Sequence, residues 1–182
     1  MLRRFWRPAA LVMLVLAVAA VGGTALAKSK KASNKATVTA SGGFKSKFKI
    51  NRLGQFTDQS HFTPGLVLIR SGGTLTLRNK ASQPHTFSIV AKKDLPRSRK
   101  QLNRCGGPGT ICDTISTAHQ IGPDGNPQKP VVDVGTPGID QAGDSFVLAP
   151  KSSQKVALSA KRGTLYFMCG IHPWMQGVLK VR

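Results

Sequence analysis

Near the end of the chain a cysteine, a histidine and a methionine recur at three-residue intervals, Cys169, His172 and Met175. They lie within Gly163–Val181, where one strand-like run (Leu165 to Met168) leads in and another (Val178 to Val181) leads out. Two turns of ligand-type side chains between two strands make a tight loop able to wrap one metal ion. Thiolate, imidazole and thioether form a soft donor set, suited to copper in either oxidation state and ill suited to magnesium or calcium.

Three donors leave such a site one short, and Pro84-His-Thr-Phe-Ser-Ile-Val90 supplies the fourth. In a strand, side chains alternate between faces, so His85 points where Phe87 and Ile89 point. The same alternation sets Leu165, Phe167 and Cys169 on one face and turns Met168 away. His85, Cys169 and His172 then make a trigonal His2Cys set with Met175 as a long axial ligand, the pattern of blue-copper electron-transfer centres.

The run Asn79-Lys-Ala-Ser-Gln-Pro-His85, followed far downstream by Cys169-Gly-Ile-His-Pro-Trp-Met175, resembles the cupredoxins; the short Cys-x2-His-x2-Met loop is most similar to that of amicyanin. The resemblance covers roughly residues 44–91 and 144–182. It implies an all-β Greek-key sandwich, one mononuclear copper and one-electron transfer rather than catalysis. Many members of the family carry Asn directly after the first histidine, bonded across to the ligand loop; here that position is Thr86, whose hydroxyl is the candidate substitute.

The elements that must position these residues begin after a leader. Arg3, Arg4 and Arg7 precede an apolar run from Ala9 to Val21 and a small-residue end at Ala25-Leu-Ala27. This is the order of a secretory signal peptide with cleavage after Ala27, and export to a periplasmic, extracellular or cell-envelope location is the expectation. The rival is an uncleaved anchor, since residues 9–27 just reach the length of a bilayer span. Loss of the three leader arginines takes the formal charge from +20 to +17. All seven acidic residues are Asp, and there is no Glu. A charge of this sign favours anionic partners, either an acidic redox protein or an anionic cell-envelope surface. One Tyr and two Trp offer little for base stacking, and no nucleic-acid partner is expected. The processed chain reads as a monomer.

Residues 28–43 open with the basic run Lys28-Ser-Lys-Lys and read as a flexible tether. Phe44 to Ile50 alternates strictly and predicts a half-buried strand with Lys45, Lys47 and Lys49 outward. Leu66–Ile69 and Thr74–Arg78 predict two strands of a hairpin turned by Ser71-Gly-Gly73. Thr86–Ala91, Ser145–Leu148 and Lys155–Ser159 are further strands. Between them, from about residue 92 to 143, the alternation breaks and Pro and Gly accumulate. We read an insertion into a domain spanning 44–182, mostly irregular, with a short helix within Thr110–Ile121. Cys105 and Cys112 flank a Gly-Gly-Pro-Gly turn and predict a disulfide, which leaves Cys169 free for metal.

Other chemistries find little support. Structural zinc sites rarely recruit a thioether. A multinuclear copper oxidase needs more than the four histidines present, and no Ser-His-Asp set, carboxylate pair or phosphate loop occurs. His61 and His119 lack ligand-spaced companions and read as surface residues. Pro173 and Trp174 beside His172 predict an apolar docking rim, with His172 itself near the surface as the electron exit. An envelope protein that stores or delivers copper uses the same residues and stands as the alternative; a basic adhesive module with structural copper is a third.

Overall fold

The computed structural model describes residues 31–49, 52–122 and 126–182, with the side chains of residues 45–56 left aside. The predicted leader and the first residues of the tether lie outside the described residues. No helix among the described residues is long and apolar enough to cross a membrane.

Alternating apolar and polar residues carry most of the chain into strands: β1 (Ser33–Ser41), β2 (Phe44–Lys49), β3 (Arg52–Asp58), β4 (His61–Thr63), β5 (Leu66–Asn79), β6 (His85–Val90), β7 (Val131–Val132), β8 (Ser145–Leu148), β9 (Ser153–Ala157), β10 (Gly163–Met168) and β11 (Gln176–Val181). The main sheet runs β4-β1-β5-β11-β10-β6-β8-β7, with β9 on the free flank of β5. It folds over one apolar core. Val38, Leu75, Leu77, Val156 and Leu158 come from one half, and Ile69, Phe87, Ile89, Leu148, Phe167 and Leu179 from the other. Phe87 stacks on Phe167 at 4.5 Å, and Phe62 meets both rings edge-on. The architecture is the all-β sandwich that the sequence implies.

The strand β5 makes that closure. Its start pairs in parallel with β11 (Leu66↔Val178 to Ile69↔Val181). Its end pairs in parallel with β1 and antiparallel with β9. The expected hairpin at Ser71–Gly73 is therefore a bend inside one strand. Gly72 takes φ +74°, and a Cβ at Gly73 would stand 2.8 Å from the carbonyl oxygens of Arg70 and Asn34. Only glycines let the strand cross from one layer to the other there.

Two further expectations need correction. The stretch read as a tether supplies β1, which lies against β5 in register from Lys35↔Thr74 to Ala40↔Asn79 and buries Val38 and Ala40. Its small side chains carry little hydrophobic signal, yet parallel pairing with β5 satisfies its backbone. The strand expected from Phe44 is present as β2, but it pairs only with β3 in a separate two-stranded sheet, and Phe44, expected inward, is 62% exposed.

The insertion is more ordered than its composition suggests. After a 3-10 turn at Lys92–Asp94 come α1 (Arg99–Arg104) and α2 (Ile111–Ala118). Ser98 and Gln101 form a reciprocal capping box on α1, and Thr110 caps α2 by accepting the Asp113 N–H. Cys105 and Cys112 are bridged, with Cα atoms 5.2 Å apart. With Ile115 they pack on Val90 and Met168, so the insertion covers the outer face of β6 and β10. This explains why every residue of β6 is buried.

Candidate metal centre

Two strand ends and one loop build the site. Ahead of β6, buried Asn79 donates to the carbonyls of Gln83 (2.8 Å) and Leu148 (2.9 Å) and accepts the Ala81 N–H (2.8 Å). That clamp fixes where His85 enters its strand. On the other side, β10 and β11 pair as far as Met168↔Gln176, which pins both ends of the loop between them. Inside it the Cys169 N–H donates to the Met175 carbonyl (3.0 Å) and the Met175 N–H to the His172 carbonyl (2.8 Å). The loop is short enough that its backbone has little room to move.

The donors converge as a result. Cys169 Sγ lies 3.8 Å from His85 Nδ1 and 3.8 Å from His172 Nδ1. All three ligand atoms fall within 4.8 Å of one another, and all three residues are buried. Met175, 1% exposed, is in the same core cluster as Cys169. Met168 faces the opposite way, into the insertion.

These spacings test whether an ion fits. Bonds of about 2.3 Å to sulfur and about 2.05 Å to imidazole nitrogen, opened by about 120°, put the two donor atoms about 3.8 Å apart. A tetrahedral angle brings them to about 3.6 Å. The S–N distances fit one first-row ion bonded to the sulfur and to each ring nitrogen at S–ion–N angles near 120°.

Electrostatics prepare the donors. Burial, reinforced by His172, lowers the His85 pKa to about 4, against a weaker opposing pull from Asp58. Burial also depresses that of His172, again opposed by Asp58. Both shifts favour the neutral ring, the form that binds a metal. Burial pushes the Cys169 thiol up, offset in part by the N–H groups of Thr86 and His172, which approach the sulfur at 3.3 Å and 3.4 Å. A thiol so buried holds its proton until a metal ion displaces it to solvent and takes its place on the sulfur. Thr86 fills the bridging role: its Oγ1 accepts the Gly170 N–H at 2.8 Å and ties β6 to the ligand loop.

The surface around the site departs from expectation. His172 is only 6% exposed, because Asp58 at the end of β3 sets Oδ2 3.4 Å from its Nε2. Trp174 closes another side, its ring edge-on to His172 at 5.4 Å and its N–H on the Ser60 carbonyl. Of the two rim residues, Trp174 is 44% exposed but Pro173 is buried; Ile171, 43% exposed, takes that place. The expected exit at His172 is thereby covered, and the exposed edge beside the site belongs to Trp174. His119, read as a surface residue, is fully buried, whereas His61 is exposed. Asp58 and His119 were invisible in sequence because each is defined by partners distant along the chain.

No protein-family model and no curated protein matches the chain. Among solved structures it is similar to a purple cupredoxin from Nitrosopumilus maritimus, 16% identical over 81% of this chain and 99% of that one, TM-score 0.43. It is also similar to auracyanin from Roseiflexus castenholzii, 17% identical over 84% and 99%, TM-score 0.42. Amicyanin from Paracoccus versutus is 15% identical over 67% and 73%, TM-score 0.35. By its own strand order, and by the His85–Cys169–His172 cluster at the sheet's end, the chain has a fold of the cupredoxin type.

Proposed function

We propose that this chain is an exported one-electron carrier built on a single type 1 copper, which His85, Cys169, His172 and Met175 would hold. The observation that carries the reading is the pair of 3.8 Å sulfur–nitrogen spacings among three buried donors. Bound there, copper supplies a Cu(II)/Cu(I) couple. The chain's own part is to hold the donors still. Two strand ends, the Asn79 clamp and the Thr86–Gly170 tie keep their positions nearly independent of the charge between them, which lowers reorganisation. The apolar wall of Phe87 and Phe167 excludes water, and Trp174 offers an exposed aromatic edge in contact with His172.

An acidic redox protein is the partner that a chain of +17 charge attracts most rapidly. A store or delivery protein needs a site that opens readily to an acceptor; burial of all three donors favours retention. The test is a visible spectrum on adding Cu(II). An intense blue thiolate-to-copper band is expected in the parent and none in Cys169→Ser. A colourless complex, or a band that survives the substitution, refutes the assignment. Stopped-flow reduction beside copper loss to a chelator separates carrier from store: fast loss with slow reduction reverses the choice.

A further inference from the structure

The end of the sandwich opposite the donors gathers cations from separate parts of the chain. Strand β10 starts at this end with Gly163, six residues before Cys169, so the two ends stand about 20 Å apart. Here β11 ends, β1 begins and β5 bends, joined by the registers Gly163↔Val181, Ile69↔Val181 and Ser33↔Ile69. The Arg182 N–H donates to the Ile69 carbonyl (2.9 Å) and the Ser71 N–H to the Arg182 carbonyl (3.1 Å). The Ser71 hydroxyl donates to the Ala160 carbonyl at 2.6 Å, which draws the turn before β10 against the same bend.

Those pairings crowd like charges. Ile69 and Val181 are buried, so Arg70, Lys180 and Arg182 beside them turn outward, and Lys161 and Arg162 lead into Gly163. Lys31 and Lys35 flank the start of β1. All seven are exposed, and none has a side-chain hydrogen bond or ion pair among the described residues. Like charges on neighbouring strands destabilise a sheet, so fold stability does not account for the grouping. Arg162, Thr164, Lys180 and Arg182 line a cleft of about 490 Å³ between the start of β10 and the end of β11. Asp133 and Asp140, in the loop to which Ser159 bonds, accept the N–H groups of Gly138 and Thr136. The other cationic stretch is different: there Asp94 stands between Lys93 and Arg97, Lys92 lies over the Tyr166 ring at 5.7 Å, and Arg97 donates to the Lys92 carbonyl.

We propose that this end is a docking face for an anionic lipid surface, which it meets with the metal centre turned outward. Two observations select a headgroup layer over a protein. Protein interfaces centre on apolar anchors, and no large exposed apolar side chain lies at this end; Leu66, the one on β5, pairs with Val178 near the ligand loop. Phosphate headgroups ask only for charge and hydrogen-bond donors, which Lys and Arg supply. The chain also enters here. The sequence ahead of Lys31 adds Lys28 and Lys30 and, before them, the apolar run Ala9–Val21. With that run read as a leader, the membrane side of the chain and the cationic end of the fold coincide, whether it is removed or kept. No metal is needed for the contact, which stands apart from the copper reading.

The test is co-sedimentation of metal-free protein beginning at Lys28, which keeps every described residue, with vesicles of equal parts phosphatidylglycerol and phosphatidylcholine. Binding is expected to these and not to phosphatidylcholine alone. Salt at about 1 M, where the screening length is about 3 Å, should release it. Each cation at such a surface adds about fivefold in affinity, so Arg162→Gln/Lys180→Gln/Arg182→Gln should weaken binding roughly 100-fold. Arg99→Gln/Lys100→Gln/Arg104→Gln removes the same charge from α1, whose lead-in is tied at the metal end by the Pro96 carbonyl to Gln176. That variant should lose less than about fivefold, since charges beyond a screening length count little. Trp6 precedes Lys28, so Trp174 is the only tryptophan of the tested protein and reports the metal end. Brominated acyl chains should leave its fluorescence unquenched. Equal weakening by the two triple variants would mean attraction by net charge alone and overturns the docking face. Quenching of Trp174 would set the metal end on the bilayer and overturns it too. Capture by soluble polyglutamate without vesicle binding overturns the lipid assignment.

Discussion

Gly170 is where the insertion grips the ligand loop, and replacing it with alanine tests that grip. Its φ lies outside the left-handed region, so the backbone accepts a side chain. Space is what is missing, because a Cβ there would stand 2.7 Å from Ile115 Cγ2 and 3.1 Å from Ile115 Cβ. Ordinary contact begins at about 3.5 Å, so roughly 0.8 Å must be found. Ile115 cannot swing away, since a β-branched side chain in a helix has one strongly preferred rotamer. The loop cannot retreat without stretching the Gly170–Thr86 hydrogen bond. Overpacking of this kind costs about 1–3 kcal/mol. In a domain of this size that lowers Tm by roughly 3–10 °C. Ile115→Ala alone opens a cavity and costs about 2–3 kcal/mol, the low end for a residue at a cluster's rim. In the double variant the new methyl enters that cavity, so the two costs should fall short of additive by at least about 1 kcal/mol. Urea denaturation of the four metal-free proteins measures the cycle. If Gly170→Ala costs the same in the parent and in the Ile115→Ala background, α2 does not press on the loop and the reasoning fails.

Three other outcomes follow from the geometry. Replacing both Cys105 and Cys112 by serine frees a short loop and should destabilise the protein by about 2–3 kcal/mol in urea titrations; no change would mean that the insertion folds independently of its staple. His85 is held near pH 4 when folded and about 6.5 when unfolded, so the unfolded chain binds the proton more tightly. Stability of the metal-free protein should be full above pH 6.5 and fall by up to about 3 kcal/mol toward pH 4, a loss absent in His85→Gln. Trp174→Ala should leave the blue band nearly intact yet slow electron exchange with an acidic partner, and raising salt should slow the parent as well; equal rates in stopped flow would place the exit elsewhere.

The proposed donors were legible as a candidate set because their chemistry is local: three lie within seven residues, and the fourth sits in a strand whose alternation fixes its direction. The β strands from His85 onward, β7 within the insertion excepted, were legible for the same reason. What escaped was defined by distant partners. The β1 segment looks like a polar leader until β5 lies beside it, and Ser71-Gly-Gly73 looks like a hairpin until its flanking runs are seen pairing with different strands. The cover over His172 depends on Asp58, 114 positions before it, and nothing around Asp58 announces that meeting.

The insertion lies wholly inside the span that separates His85 from Cys169, 84 positions apart. Bringing those two residues together is a loop closure whose entropy grows only with the logarithm of the loop's length. Shortening the span to roughly 32 positions by deleting the insertion changes that entropy by only about 0.9 kcal/mol. The sandwich thus tolerates a passenger of some fifty residues almost without penalty from chain length. What limits variation there is the footprint on Val90, Met168 and Gly170, the pairing of β7 with β8 and the seating of Ile139 in the main core, all of which any replacement segment must still supply. Grafting at Ala91 and Asp144 is accordingly a route to give this scaffold a different outer face around an unaltered centre.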